Sequence, residues 1–122
     1  MIGFLIALAG GLGAVARFLV DGVVDGLSRR ATIPMGTMVI NVSGSCLLGL
    51  VTGWWAAHTG DPGLRLVLGT GFLGGYTTFS TASVEAARLA MSGRSWAAVA
   101  QAVGMMVLGV TAAALGLWLG GL

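Results

Sequence analysis

Between Gly69 and Glu85 the chain reads Gly-Thr-Gly-Phe-Leu-Gly-Gly-Tyr-Thr-Thr-Phe-Ser-Thr-Ala-Ser-Val-Glu, inside a segment that is otherwise apolar. Adjacent glycines and a run of hydroxyl side chains serve no purpose in a plain membrane anchor. Lipid offers the backbone no hydrogen bonds, so irregular backbone survives there only where protein or a water-filled path covers it. A break at Gly74–Gly75 followed by Thr77–Thr78 therefore predicts an interrupted helix whose freed carbonyls can hold an ion.

The rest of the chain supplies the membrane setting. Of its 122 residues, 57% are hydrophobic and 8% are charged, whereas a soluble domain carries about 25% charged residues. A span takes about 20 apolar residues, so the length holds four spans and short turns. They are expected at about residues 2–24, 34–57, 64–91 and 96–119 of one all-α unit covering 1–122. The turns are Ser28-Arg29-Arg30-Ala31, His58-Thr59-Gly60-Asp61-Pro62-Gly63 and Ser92-Gly93-Arg94-Ser95, each rich in turn formers or charge. Pro34 suits the first turn of a helix, where a missing N–H matters little. The N-terminal Met-Ile-Gly-Phe-Leu-Ile has no basic stretch, so it is expected to stay as the first helix rather than be cleaved as a signal peptide. One such subunit is too small to enclose a pore, which predicts an oligomer.

The net charge of +2 comes from scattered arginines, too few to bind nucleic acid. Four spans put the N-terminus, the second turn and the C-terminus on one side. Arg29, Arg30, Arg88 and Arg94 flank the first and third turns, against Arg65 on the other side. The positive-inside rule then predicts a plasma-membrane protein with the first and third turns in the cytoplasm and both termini outside.

Several polar residues are candidates for chemistry. Arg17 lies within the first span with Asp21 and Asp25 at four-residue spacing. An arginine in a span needs a partner or a wet cavity, so it is either tied to Asp21 or an anion-attracting charge at a vestibule. Asn41, one turn after Thr37 on the same face, has two donors and an acceptor oxygen. It can bridge helices or donate to a permeating anion. Phe79 follows the break and shares a face with Ala82, with hydroxyls on Ser80, Thr81 and Ser83 nearby. An aromatic ring has a positive edge, and hydroxyls beside it can replace part of an anion's water. Glu85 and Arg88 have the spacing of an interfacial ion pair. Cys46 reads as a small packing residue and His58 has no role assigned to it.

Ser45, Gly49 and Gly53 recur every four residues, as do Gly71 with Gly75 and Gly116 with Gly120, a spacing that lets membrane helices approach closely. Gly10-Gly11-Leu12-Gly13 opens no strand-turn-helix unit, so it is no nucleotide fingerprint. With neither a metal-ligand cluster nor a catalytic dyad, the chain is not expected to be an enzyme.

Three segments together carry a family resemblance: Gly10 to Arg17, Ile33 to Thr37 with Asn41 and Gly44, and Gly71 to Thr81. Over nearly its whole length the chain resembles the Fluc-type, or CrcB, fluoride channels. The resemblance implies an antiparallel dimer of two small subunits. It implies passive fluoride export through two pores along the interface, which lowers cytoplasmic fluoride and its toxicity. It also implies a structural sodium ion at the dimer centre that is not transported, bound by backbone carbonyls corresponding to Gly74 and Thr77. Asn41, Phe79, Ser80 and Thr81 would face fluoride, and Arg17 would be a vestibule or structural charge.

The pattern is departed from at two positions. A second phenylalanine of the family falls on Ala82, and a serine of its fourth helix falls on Met105, with Gln101 one turn earlier. These departures and the arginine bias leave two arrangements open: a homodimer, or a heterodimer with an oppositely oriented homologous chain. A non-conducting scaffold that supports a partner's pores is one alternative. A small multidrug antiporter is another, disfavoured because the first span has no acid before Asp21.

Overall fold

The computed structural model describes residues 1–28 and 35–122, and all the regular structure in them is helical. Helix α1 spans Ile2–Leu27 and α2 spans Met35–Ala57. The expected third span is a composite of short helices. It runs through α3 (Pro62–Arg65), a π-helical segment Leu66–Leu73, α4 (Gly74–Tyr76) and α5 (Phe79–Met91). Helix α6 spans Ser95–Gly120. Helices α1, α2 and α6 are each long and apolar enough to cross a membrane. The expected helix start at Pro34 and the charges Arg29 and Arg30 lie outside the described residues.

Local signals set the ends of the third span. Asp61 accepts a hydrogen bond from the Gly63 N–H at 2.8 Å, with Pro62 in the first turn, an N-cap followed by a residue that needs no donor. At the far end Gly93 has φ +78. Its N–H donates to the Ala90 carbonyl at 3.1 Å and that of Arg94 to the Leu89 carbonyl at 2.9 Å. This is the left-handed helix stop that glycine adopts most readily.

The interruption itself is displaced from its expected place. Gly74 and Gly75 are helical, and Gly74 has φ −63 and ψ −36. The chain leaves the helix at Thr77 (ψ 157) and Thr78 (φ −148, ψ 121). Gly75 serves close approach instead: a Cβ there would overlap the carbonyl oxygen of Gly10 on α1. Extended backbone suits β-branched threonines better than it suits a helix, so the two threonines take the break.

Glycine spacing builds the bundle. On α2, Gly49 and Gly53 press against the Ala113 and Leu117 carbonyls of α6, and Gly116 and Gly120 press back against those of Cys46 and Leu50. Membrane helices gain no hydrophobic energy from one another, so such close backbone packing holds them together. In both sets the residue numbers rise together, so α2 and α6 run parallel. The same holds for α1 and the third span, where Gly71 meets the Ile6 carbonyl and Gly75 that of Gly10. Two parallel pairs bring the second turn beside the N-terminus, where Gly63 faces Ile2.

Candidate functional site

The break is held by one side chain. Asn41 on α2 accepts the Thr78 N–H on its Oδ1 at 2.8 Å and donates from Nδ2 to the Thr78 carbonyl at 2.8 Å. Its second Nδ2 hydrogen goes to Met105 Sδ on α6, at 3.2 Å. Asn41 thus bridges helices, one of the two roles its amide allowed. A broken helix leaves donors and acceptors without partners, and Asn41 replaces two of them at one residue.

The hydroxyl run acts as a cap. Thr78, 8% exposed, accepts the Thr81 N–H at 3.2 Å. Its hydroxyl also donates to Thr81 Oγ1 at 3.1 Å and lies 3.3 Å from Ser80 Oγ. Threonine at this position satisfies one orphan donor of α5. On the other side of the break, the Thr77 hydroxyl donates to the Leu73 carbonyl at 2.9 Å.

These bonds have a consequence for the carbonyls. A continuous helix would give the Thr78 N–H to Gly74 and the Thr81 N–H to Thr77. Those donors go to Asn41 Oδ1 and Thr78 Oγ1 instead. The Gly74 and Thr77 carbonyls thereby lose their helical donors. Both residues line a groove of about 750 Å³, walled by α2, the third span and α6. Hard carbonyl oxygens freed in this way fit a hard cation.

Asn41, Thr78, Phe79, Ala82 and Met105 line the same groove. Phe79 is 88% exposed, so its ring is presented outward and not packed within the subunit. Ala82 leaves the next position on that face small. Thr81 is half-buried and Ser80 exposed.

Two pairings expected from sequence spacing meet different partners. Glu85 does not pair with Arg88. Its carboxylate takes the Thr37 hydroxyl at 2.7 Å and the Gln101 amide at 3.0 Å, because α2 and α6 flank α5 on the side away from the exposed Arg88. Thr37 and Gln101 are each 1% exposed, and Gln101 Oε1 has no partner among the described residues. Asp21 and Asp25 turn toward the start of α2. Asp25 accepts the Gly36 N–H at 3.3 Å, and both carboxylates crowd the Gly36 Cα. Carboxylates are favoured at a helix N-terminus. Half-buried Arg17 feels the charge of Asp21 but makes no ion pair among the described residues. His58 stacks on Trp54 at 5.0 Å, away from the groove. Sequence reasoning missed Gln101 and Met105 as hydrogen-bonding partners. Their only signal was two polarisable or polar side chains one turn apart in an apolar helix.

Comparison with known proteins places this geometry in context. Residues 4–117 match the family described as "CrcB-like protein, Camphor Resistance (CrcB)". The chain is 58% identical over 119 residues to "Fluoride-specific ion channel FluC 1" of Leifsonia xyli subsp. xyli, covering 96% of this chain and 85% of that one. It is 53% identical over 117 residues to "Fluoride-specific ion channel FluC 2" of Cutibacterium acnes, covering 94% of each. It is 44% identical over 114 residues to "Fluoride-specific ion channel FluC 2" of Mycobacterium tuberculosis, covering 93% of this chain and 86% of that one.

Proposed function

Because the chain belongs to the CrcB-like family of fluoride-specific ion channels, we propose that it is a subunit of a passive, fluoride-selective export channel. The observation that carries this reading is the open groove at the helix break, lined by the exposed Phe79 and by Asn41. A wall of this kind is half of a path. A second, oppositely oriented chain would close it, giving an antiparallel dimer with pores along the interface. Phe79 offers its ring edge, and Ser80 and Thr81 offer hydroxyls, where the anion sheds water.

The dimer centre would hold a structural sodium ion. The Gly74 and Thr77 carbonyls support this, since both have lost their helical donors and both residues line the groove. When bound, the ion would supply a fixed positive charge that ties the two breaks together. Arg17, half-buried near the acidic end of α1, would attract anions toward the vestibule.

The protein would sit in the plasma membrane with both termini outside, on the strength of the arginine bias. Export would lower cytoplasmic fluoride and its toxicity. The same bias and Ala82 favour a heterodimer with a homologous chain over a homodimer. A fixed orientation needs biased arginines, and a partner's aromatic side chain would fill the space beside Ala82. In the limiting case this chain would be a scaffold for a partner's pores.

Fluoride efflux from liposomes holding the purified chain alone tests the reading, with a potassium ionophore to relieve the charge. Fast efflux establishes a homomeric channel. Silence from folded protein, restored by co-expression with a homologue, establishes the heterodimer. Silence in both cases overturns the channel.

A further inference from the structure

We propose that Met105 is a positioning residue for the anion path: its sulfur holds the second amide hydrogen of Asn41 and yields it to the permeating anion. This rests on the fluoride-channel reading.

The amide of Asn41 has no freedom to flip. Its Oδ1 accepts from a backbone N–H, which only an oxygen there can do, so Nδ2 must face the Thr78 carbonyl. One Nδ2 hydrogen is committed to that carbonyl. The other meets Met105 Sδ at 3.2 Å. The two acceptors are unequal. A carbonyl is a strong acceptor, whereas a thioether is a weak one. Asn41, Met105 and Phe79 all line the groove, so the weakly held hydrogen is the one an ion in the path can reach.

An anion entering a mostly apolar groove must replace lost water with donors. A hydrogen bond to a charged acceptor is roughly twice as strong as one between neutral groups. Fluoride therefore displaces the sulfur, and the flexible, unbranched methionine swings aside. When the ion leaves, the sulfur returns and the amide is not left bare in an apolar wall. A stronger acceptor at this position would compete with the ion. An apolar side chain would leave the donor waiting and unpaired. The acceptor strength of residue 105 should thus set the apparent affinity of the path.

Two substitutions of opposite sign test this in the full-length chain, in whichever assembly conducts. Met105→Leu removes the acceptor at similar volume. Met105→Gln supplies a carbonyl of similar reach. The readout is initial fluoride efflux from liposomes across a series of fluoride concentrations at constant ionic strength. The half-saturating concentration should fall about five-fold for leucine and rise about five-fold for glutamine, the factor a single net hydrogen bond gives. Shifts in the same direction, or a loss of maximal flux with unchanged half-saturation, overturn the proposal and leave Met105 a packing residue. If leucine does not fold, glutamine decides alone. If neither variant assembles, Met105 is structural and the proposal falls. A silent parent channel overturns the fluoride reading itself, which is seen before any variant is made.

Discussion

Asn41 and Thr78 exchange two hydrogen bonds of 2.8 Å, from side-chain amide to backbone, across the gap between α2 and the third span. The pairing copies what a neighbouring strand would offer, and it satisfies Thr78 where Thr77 and Thr78 leave the helix. It also makes the break depend on an amide. Asn41→Asp keeps the acceptor but turns a second oxygen toward the Thr78 carbonyl. Asn41→Ala leaves the Thr78 N–H without its partner and takes one of two donors from the Thr78 carbonyl, which also heads the first turn of α5, at about 1–3 kcal/mol for the buried N–H. Both variants should lower the unfolding midpoint in detergent, and fluoride flux should be lost together with it. An alanine variant as stable as the parent would remove the clamp from the account.

Gly74 and Gly75 differ although they are adjacent. A Cβ on Gly75 collides with the Gly10 carbonyl, while the nearest atom to one on Gly74 is the Gly69 carbonyl oxygen at 4.0 Å. Gly75→Ala should therefore destabilise the single subunit by about 1–3 kcal/mol, the usual range for overpacking. Gly74→Ala should leave the subunit folded, and Gly74→Val should act on the proposed dimer centre and the ion proposed there. Tryptophan-fluorescence melting separates the first variant, and chromatographic size in detergent the other two. The prediction fails if Gly75→Ala melts with the parent.

These two glycines show what the sequence discloses and what it hides. Four-residue glycine spacing marked the α2–α6 and α1–third-span contacts, because close backbone approach is a local requirement visible at each position. The place of the break was hidden by the same residues. Gly74–Gly75 looks like a helix breaker, but in a membrane helix glycine more often buys proximity. The true break at Thr77–Thr78 depends on Asn41, which is remote in sequence. Only the Thr78-x-x-Thr81 cap carried a local sign of it. Glu85 was likewise misread, since its i+3 arginine is near in sequence whereas Thr37 and Gln101 come from other helices. Asp21 met a different neighbour for a related reason: Gly36 at the start of α2, fifteen positions away in sequence, lies beside the end of α1.

The Thr37–Glu85–Gln101 cluster ties three helices together around a half-buried carboxylate. Thr37→Val keeps the shape and removes one donor to the Glu85 carboxylate. It should destabilise the subunit by about 1.5–3 kcal/mol, the range for a hydrogen bond to a charged group. Combining it with Glu85→Gln should be less costly than the sum of the two single changes, since the partners share one network. Thermal melting of the four proteins in one detergent gives the coupling. Strict additivity would show that Thr37 does not act through Glu85.

Phe79 gives the sharpest separation of stability from conduction. At 88% exposure its ring packs on little of its own subunit. Phe79→Ile should thus change subunit stability by no more than about 0.5 kcal/mol, as for other surface positions. Isoleucine retains the apolar bulk but lacks the electropositive ring edge that an anion can meet. Flux through a dimer of normal size should fall at least ten-fold, equivalent to about 1.4 kcal/mol of lost interaction at the barrier. Phe79→Leu should behave like isoleucine, and Phe79→Tyr should retain most of the flux because its ring edge is preserved. Chromatographic size and efflux are measured on the same preparation, so failed assembly cannot be mistaken for a blocked path. Parental flux from the isoleucine dimer would move the anion's route away from this ring and onto the hydroxyls of Ser80 and Thr81.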